Sequence, residues 1–218
     1  MKVGTDGVLL GAWVNTGDAS TILDVGTGTG LIALMLAQRS QAKITGIEID
    51  ESACIEATAN VLNSPWPDQI SIINTSFQEY TIHNKQQFDL IVSNPPFFTN
   101  SKLSTSSSLA LAKHNYMLPL AELTRNSEKM LTAEGRLAVI LSPESDGNFI
   151  KTAQKAGLEL LRLTEIRPKT TKKIHRLLME FSKKTLFPEK SILTIHRNDG
   201  RDYTEEYKNL TKEFYLNF

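Results

Sequence analysis

The chain has 218 residues, of which 40% are hydrophobic and 22% charged, and its formal net charge is zero. These values match an ordinary soluble globular domain, and the length suits one domain better than two. They exclude collagen-like, coiled-coil and wholly disordered chains, and no apolar run approaches the ~20 residues that span a bilayer. The single cysteine, Cys54, rules out an internal disulfide, so a reducing, cytoplasmic setting is expected. His83, His114, His175 and His196 are scattered without metal-ligand spacing, so no metal is expected.

The opening MKVGTDGVLLGAWV has an apolar stretch too short, and too close behind an aspartate, for a signal sequence. Thr21–Val25 then reads as a buried strand and Leu31–Arg39 as an apolar helix. Lys43–Ile49 is a second strand, and Glu51–Leu62 a second helix capped by Asp50. Ile70–Asn74 and Phe88–Ser93 are further strands, the latter stopped by Pro95-Pro96. Asn100–Ser108 is a polar Ser/Thr-rich loop. Pro119–Leu131 reads as a helix, Gly135–Leu141 as a strand, and Glu144–Ala156 as a helix ended by Gly157. Glu159–Ile166 and Arg176–Ser182 are strands flanking the basic loop RPKTTKKIH. A short strand at Ile192–His196 and an amphipathic helix at Thr204–Tyr215 close the chain. Alternation at this spacing predicts βαβ units and a parallel sheet. No linker separates two domains.

Charge is unevenly distributed. Residues 1–100 carry 4 basic and 10 acidic side chains, and residues 101–218 carry 20 and 14. Residues 162–190 alone hold 9 basic and 3 acidic groups, a segment suited to a phosphate backbone.

Two motifs carry chemistry. Asp24-Val25-Gly26-Thr27-Gly28-Thr29-Gly30 follows a strand and opens a helix, where glycines let the backbone approach a ligand. Leu31 breaks the G-x-G-x-x-G dinucleotide pattern. Asp24 would repel a pyrophosphate but suits the ammonium of an amino-acid moiety, which favours S-adenosylmethionine over NAD. Glu48, with Ile49 after it, ends the second strand where a carboxylate accepts hydrogen bonds from ribose hydroxyls; Asp50 is the competing candidate, but its position better suits the helix cap. Ser76-Phe77 falls where an adenine ring would lie.

The second motif is Ser93-Asn94-Pro95-Pro96-Phe97. A planar exocyclic amine is a poor nucleophile because its lone pair is delocalised. The Asn94 side-chain oxygen and the Pro95 carbonyl can accept its hydrogens and rehybridise it. Pro95 and Pro96 stiffen the backbone, and Phe97 offers a stacking face.

In this order and spacing, DVGTGTG, GIEID and SNPPF resemble the class I S-adenosylmethionine-dependent methyltransferases that act on planar nitrogen. More narrowly, Lys2–Trp13 and Tyr203–Leu216 resemble the bacterial valine-tRNA adenine-37 N6-methyltransferases. Members of that family usually carry a Phe-x-Phe-Lys-Gln-Phe-like stretch ahead of the matching opening segment. The resemblance implies a Rossmann-like, doubly wound α/β fold with a mostly parallel, seven-stranded sheet, in one domain whose cofactor-binding half is residues 1–100 and whose substrate-facing half is 101–218. It implies cofactor contacts from Gly4, Thr5 and Asp6, from Asp24, Gly26, Thr27, Gly28 and Gly30, and from Glu48, Ile49, Ser76, Phe77 and Asn94. Asn94, Pro95, Pro96 and Phe97 would then hold the target adenine. Lys169, Lys172, Lys173, Arg176, Lys183 and Lys184 would track the anticodon stem, with Lys102, Lys113 and His114 adding contacts near the polar loop. The expected partner is tRNA, met by a monomer. Release-factor glutamine methylation, guanine-N2 methylation of rRNA and a cofactor-binding module without turnover are the rival readings.

Overall fold

The computed structural model describes residues 4–95, 118–197 and 202–215, with the side chains of 145–147 excepted. An apolar helix, α1 (Thr5–Trp13), precedes β1 (Thr21–Val25), α2 (Leu31–Arg39), β2 (Lys43–Glu48), α3 (Glu51–Leu62) and β3 (Ile70–Asn74). The chain continues through α4 (Phe77–His83), β4 (Phe88–Ser93), α5 (Leu120–Met130), β5 (Leu131–Leu141) and α6 (Pro143–Lys155). It ends with β6 (Glu159–Arg167), β7 (Arg176–Ser182), β8 (Glu189–Thr194) and α7 (Glu205–Thr211). No helix among the described residues is long and apolar enough to cross a membrane.

The strands form one sheet in the order β3-β2-β1-β4-β5-β7-β6-β8. This α/β architecture is the expected one, but the sheet has eight strands and is mixed, where seven were expected. β7 inserts antiparallel between β5 and β6, and β8 then adds parallel to the outer side of β6. β8 starts earlier than expected and stops at Thr194; His196 lies beyond it in an isolated bridge to Tyr203.

Apolar side chains from both faces of the sheet build the core. On one face, Leu9, Leu10 and Trp13 of α1, Ile32 and Leu36 of α2, Val61 of α3 and Tyr207 of α7 pack over Ile22, Ile44, Leu90 and Ile140. On the other, Phe77 and Tyr80 of α4, Leu123 of α5 and Phe149 of α6 pack over Leu23, Ile91 and Val139. The side-chain period of two along β1 puts Asp24 on the same face as Ile22, toward α2.

Two boundaries differ from expectation for local reasons. β5 begins at Leu131, directly after α5, and its pairing with β4 shifts register between Phe88 and Leu90. Gly135 allows this approach, because a Cβ there would sit 2.8 Å from the Phe88 carbonyl oxygen. The tail helix is shorter than expected, running Glu205–Thr211, with the Thr204 side chain accepting from the Tyr207 amide.

Candidate functional site

In a parallel sheet, ligands gather outside the carboxyl ends of the strands, where the strand order reverses. Here that point lies between β1 and β4, whose ends meet with Val25 beside Ser93. The Ser93 hydroxyl donates to the Val25 carbonyl at 2.9 Å and fastens the two strand ends together.

The glycine turn follows β1. Gly26 and Gly28 hold φ of 72° and 58°, in the left-handed region that other residues rarely enter, and the amides of Gly26 and Thr27 both donate to the Ile47 carbonyl. Gly30, at φ 82°, opens α2 without a side-chain cap. A Cβ on Gly26 would meet no atom within 4 Å, so open space faces the backbone at this point.

Asp24 is fully buried beneath the turn. The Thr27 hydroxyl donates to its Oδ2 at 2.6 Å, whereas Oδ1 is buried without a hydrogen-bond partner among the described residues. Burial pushes the Asp24 carboxyl up to about 7; the Thr27 hydroxyl and the Ala33 amide pull the other way, and nearby Glu48 raises it further. A buried, half-satisfied carboxylate of this kind calls for a cation. Glu48, at the end of β2, accepts from the Gly28 amide on Oε2 (2.9 Å) and from the Asp50 amide on Oε1 (3.0 Å). Each oxygen keeps a second lone pair for a ligand hydroxyl. Asp50 caps α3 by accepting from the Ala53 amide, as its position in the sequence implied. Ile49 is 37% exposed beside this carboxylate. An open space over glycine backbone, an orphaned buried carboxylate oxygen and a fixed acceptor pair fit a ligand that carries both an ammonium and ribose hydroxyls.

Ser76 and Phe77, expected beside an adenine ring, open helix α4. The Ser76 side chain caps α4 by accepting from the Glu79 amide, and Phe77 is buried in the core. Asn74 was not anticipated: its side-chain amide donates to the carbonyls of Glu48 at 2.8 Å and Ile49 at 3.3 Å, fixing the end of β2. Its place at the last residue of β3, in register with Glu48, was the available signal.

Asn94 and Pro95 emerge from the end of β4 next to this turn; Asn94 is half-buried and Pro95 buried. Pro96 and Phe97 lie outside the described residues, as do Lys102, Lys113, His114 and the polar loop. Gly4 precedes α1, and Thr5 is exposed at the start of the helix. Asp6 meets Arg176: the guanidinium Nε donates to Asp6 Oδ2 at 2.9 Å.

The basic residues divide between the two ends of the sheet. The β6–β7 loop, with Lys169, Lys172 and Lys173, emerges at the edge that holds the glycine turn and Asn94, and Lys172 and Lys173 are exposed. Lys183 and Lys184 follow β7 at the opposite edge, because Ser182 pairs with Arg136 while Leu177 pairs with Leu141. The two edges are roughly 20 Å apart along a strand of this length. Lys183 also donates to the Leu131 carbonyl and pairs with Glu128, and Lys184 pairs with Glu134. One continuous track from Lys169 to Lys184 is therefore not what the fold builds: the reversal of β7 carries Lys183 and Lys184 away from the site.

Comparison with known proteins agrees with this geometry. The model of the methyltransferase small domain matches residues 4–153. A tRNA1(Val) (adenine(37)-N6)-methyltransferase of Trichodesmium erythraeum is 44% identical over 100% of this chain and 92% of its own length. One of Parabacteroides distasonis is 44% identical over 99% and 91%. Among solved structures, a predicted O-methyltransferase of Agrobacterium tumefaciens superposes with a TM-score of 0.73 at 19% identity, covering 95% of this chain and 96% of that one. The glycopeptide N-methyltransferase MtfA, solved with S-adenosyl-L-methionine, gives 0.61 at 11% identity, covering 84% and 100%. These two show the fold. With a family model over more than half of its length and such relatives over nearly all of it, the chain belongs to the methyltransferase small domain family, in the group that contains the two tRNA1(Val) enzymes.

Proposed function

We propose that this chain methylates N6 of an adenine in the anticodon loop of a tRNA, adenine 37 of valine tRNA by likeness to its relatives, with S-adenosylmethionine as donor. The observation that carries the reading is the register that sets Val25 beside Ser93. It supports a reading in which Asn94 and Pro95, the proposed acceptors for a planar amine, follow beside a turn suited to the cofactor. Asp24 would hold the ammonium of the methionine end, and Glu48 the ribose hydroxyls. When bound, the cofactor supplies a methyl group on a positively charged sulfur.

The remaining work belongs to the chain. The Asn94 side-chain oxygen and the Pro95 carbonyl accept the two N6 hydrogens, which draws the nitrogen lone pair out of conjugation and aims it. Fixed acceptors need no reorganisation as charge develops, and orientation supplies most of the rate. As the new N–C bond formed, the methyl–sulfur bond would break and leave neutral S-adenosylhomocysteine; N6 would then shed a proton to solvent, so the site needs no strong base. Pro96 and Phe97, next in sequence, are proposed to stiffen this segment and to stack on the base. Lys169, Lys172 and Lys173 are proposed to meet the RNA backbone, positioning the loop while the target base is splayed out. We propose that the work is done in the cytoplasm by a single domain acting as a monomer.

The test is transfer of label from S-adenosylmethionine to tRNA from cells lacking the enzyme, with purified release factors assayed in parallel and the products hydrolysed for nucleoside and amino-acid analysis. N6-methyladenosine in tRNA is the expected product. Methylglutamine in release factor would replace the reading with its protein-methylating rival.

A further inference from the structure

Helix α1 is held very differently at its two ends. At its carboxyl end three arginines converge. Arg39 donates to the carbonyls of Gly11, Ala12 and Val14, Arg162 to that of Trp13, and Arg136 to that of Asn15. This is the end at which a helix presents unpaired carbonyls and partial negative charge. At its amino end Gly4 gives no side-chain cap, and a Cβ there would meet no atom within 4 Å. Among the described residues, the Asp6 and Arg176 side chains tie that end at 2.9 Å, and they are 23% and 18% exposed.

That amino end faces the cofactor turn. Gly7 packs so tightly on the start of α2 that a Cβ there would lie 3.1 Å from Leu31 Cδ2 and 4.0 Å from Ile32 Cγ1, and Leu31 directly follows Gly30. Arg176 is the first residue of β7, one strand across from the end of β5, and its Nη1 donates to the His175 carbonyl. A charged residue of the basic segment is thus committed to the helix that packs against the glycine turn.

We infer that Arg176 is a positioning residue for the cofactor: by holding Asp6 it fixes the first turn of α1 against Leu31 and so closes the methionine end of the pocket. This inference rests on the proposed cofactor but not on the RNA. Arg176 does its work through Asp6, so removing either partner has the same consequence, and removing both adds nothing.

Calorimetric titration of the full chain with S-adenosylhomocysteine tests this, comparing wild type with Asp6→Asn, Arg176→Gln, the double variant and Arg176→Lys. Either single change is expected to raise Kd about tenfold, as loosened supports of a binding constellation do. The double variant should match the singles, and Arg176→Lys should recover part of the loss. At saturating cofactor, kcat should stay within about twofold while KM for cofactor follows Kd, and affinity for tRNA measured by filter binding should change less than twofold. Unchanged cofactor Kd with weakened tRNA binding would overturn the inference and return Arg176 to the RNA surface. Additive losses in the double variant would also overturn it, because the two residues would then act separately. If the wild-type chain methylates no tRNA but shows this cofactor pattern, the RNA reading fails and the inference stands.

Discussion

Thr27 fixes the buried carboxylate of Asp24 with a 2.6 Å hydrogen bond to Oδ2 and leaves Oδ1 unpaired among the described residues. With its carboxyl pushed up to about 7 by burial, Asp24 is largely protonated below neutral pH in the ligand-free protein. An ammonium ligand selects the ionised form, so binding must drive off that proton. Affinity for S-adenosylhomocysteine is therefore expected to rise roughly tenfold between pH 5.5 and 7, a range in which the ligand's own amine stays charged. Calorimetry across that range checks it, and Asp24→Asn should both weaken binding and abolish the slope.

The same residue costs the empty protein stability. Its carboxyl sits higher in the folded chain than its unfolded value of 3.8, so between those pH values the folded state holds more protons than the unfolded. Stability then falls as pH rises from about 4 to about 7, and the loss persists above. Asp24→Asn removes the buried charge. The ligand-free variant is expected to be more stable than wild type at pH 8 by about 4 kcal/mol, or roughly ten degrees in Tm. The gap should vanish near pH 4. Thermal melts at the two pH values decide the matter: equal Tm at pH 8 would mean that Asp24 carries no such penalty.

Asn94 follows the last residue of β4, and Pro95 after it is buried. Asn94→Ala removes one of the two proposed acceptors and touches none of the groups assigned to the cofactor's ammonium or ribose. We expect kcat to fall by about 10²–10³, the usual cost of losing one preorganised hydrogen-bonding group, with cofactor Kd within about threefold of wild type. Single-turnover methylation with saturating cofactor measures it, and near-normal turnover would remove Asn94 from the mechanism.

Much of this was legible because the first half of the fold is locally consistent. β1, α2, α3 with its Asp50 cap, β3 and β4 each show their period and their stops within a few residues. What escaped depends on distant partners. α1 is buried from Gly7 to Trp13, so it shows no polar face and hence no helical period. α4 spans seven residues, and its Ser76 cap reads as a turn until Glu79 is seen to complete it. The side chains of Asp6 and Arg176 lie 170 residues apart in sequence, and no local pattern announces their pairing. That Lys183 and Lys184 lie at the far edge from Lys169 is not legible either, because charge is visible in sequence whereas the direction of β7 is not.

That direction makes a sharp prediction. Replacing Lys169, Lys172 and Lys173 by glutamate should weaken tRNA binding at least tenfold and flatten the dependence of log K on log salt, since each lost phosphate contact lowers the slope by roughly one. Replacing Lys184 by glutamate, at the far edge and paired with Glu134, should change tRNA affinity less than twofold. Filter binding at several salt concentrations separates the two. An equal loss from both variants would require RNA to wrap the whole sheet.

Glu180 anchors the opposite end of α1 from Asp6. Its carboxylate is 2% exposed and bridges Arg136 (2.7 Å) and Arg162 (2.9 Å), the two side chains that reach on to the carbonyls of Asn15 and Trp13. Arg162 also lies 3.7 Å above the Trp13 ring, and the Trp13 indole donates to Thr164 at 2.8 Å. Glu180→Gln would leave two guanidiniums facing a neutral amide in a buried setting. Breaking one side of such a cluster costs about 3–5 kcal/mol. The loss should appear as a lower midpoint in urea with an unchanged slope. Below that midpoint, cofactor Kd should hold within about twofold, because the cluster secures the end of α1 away from the glycine turn. A large rise in Kd without a loss of stability would mean instead that α1 moves as one rigid piece, and that its two ends cannot be assigned separate tasks.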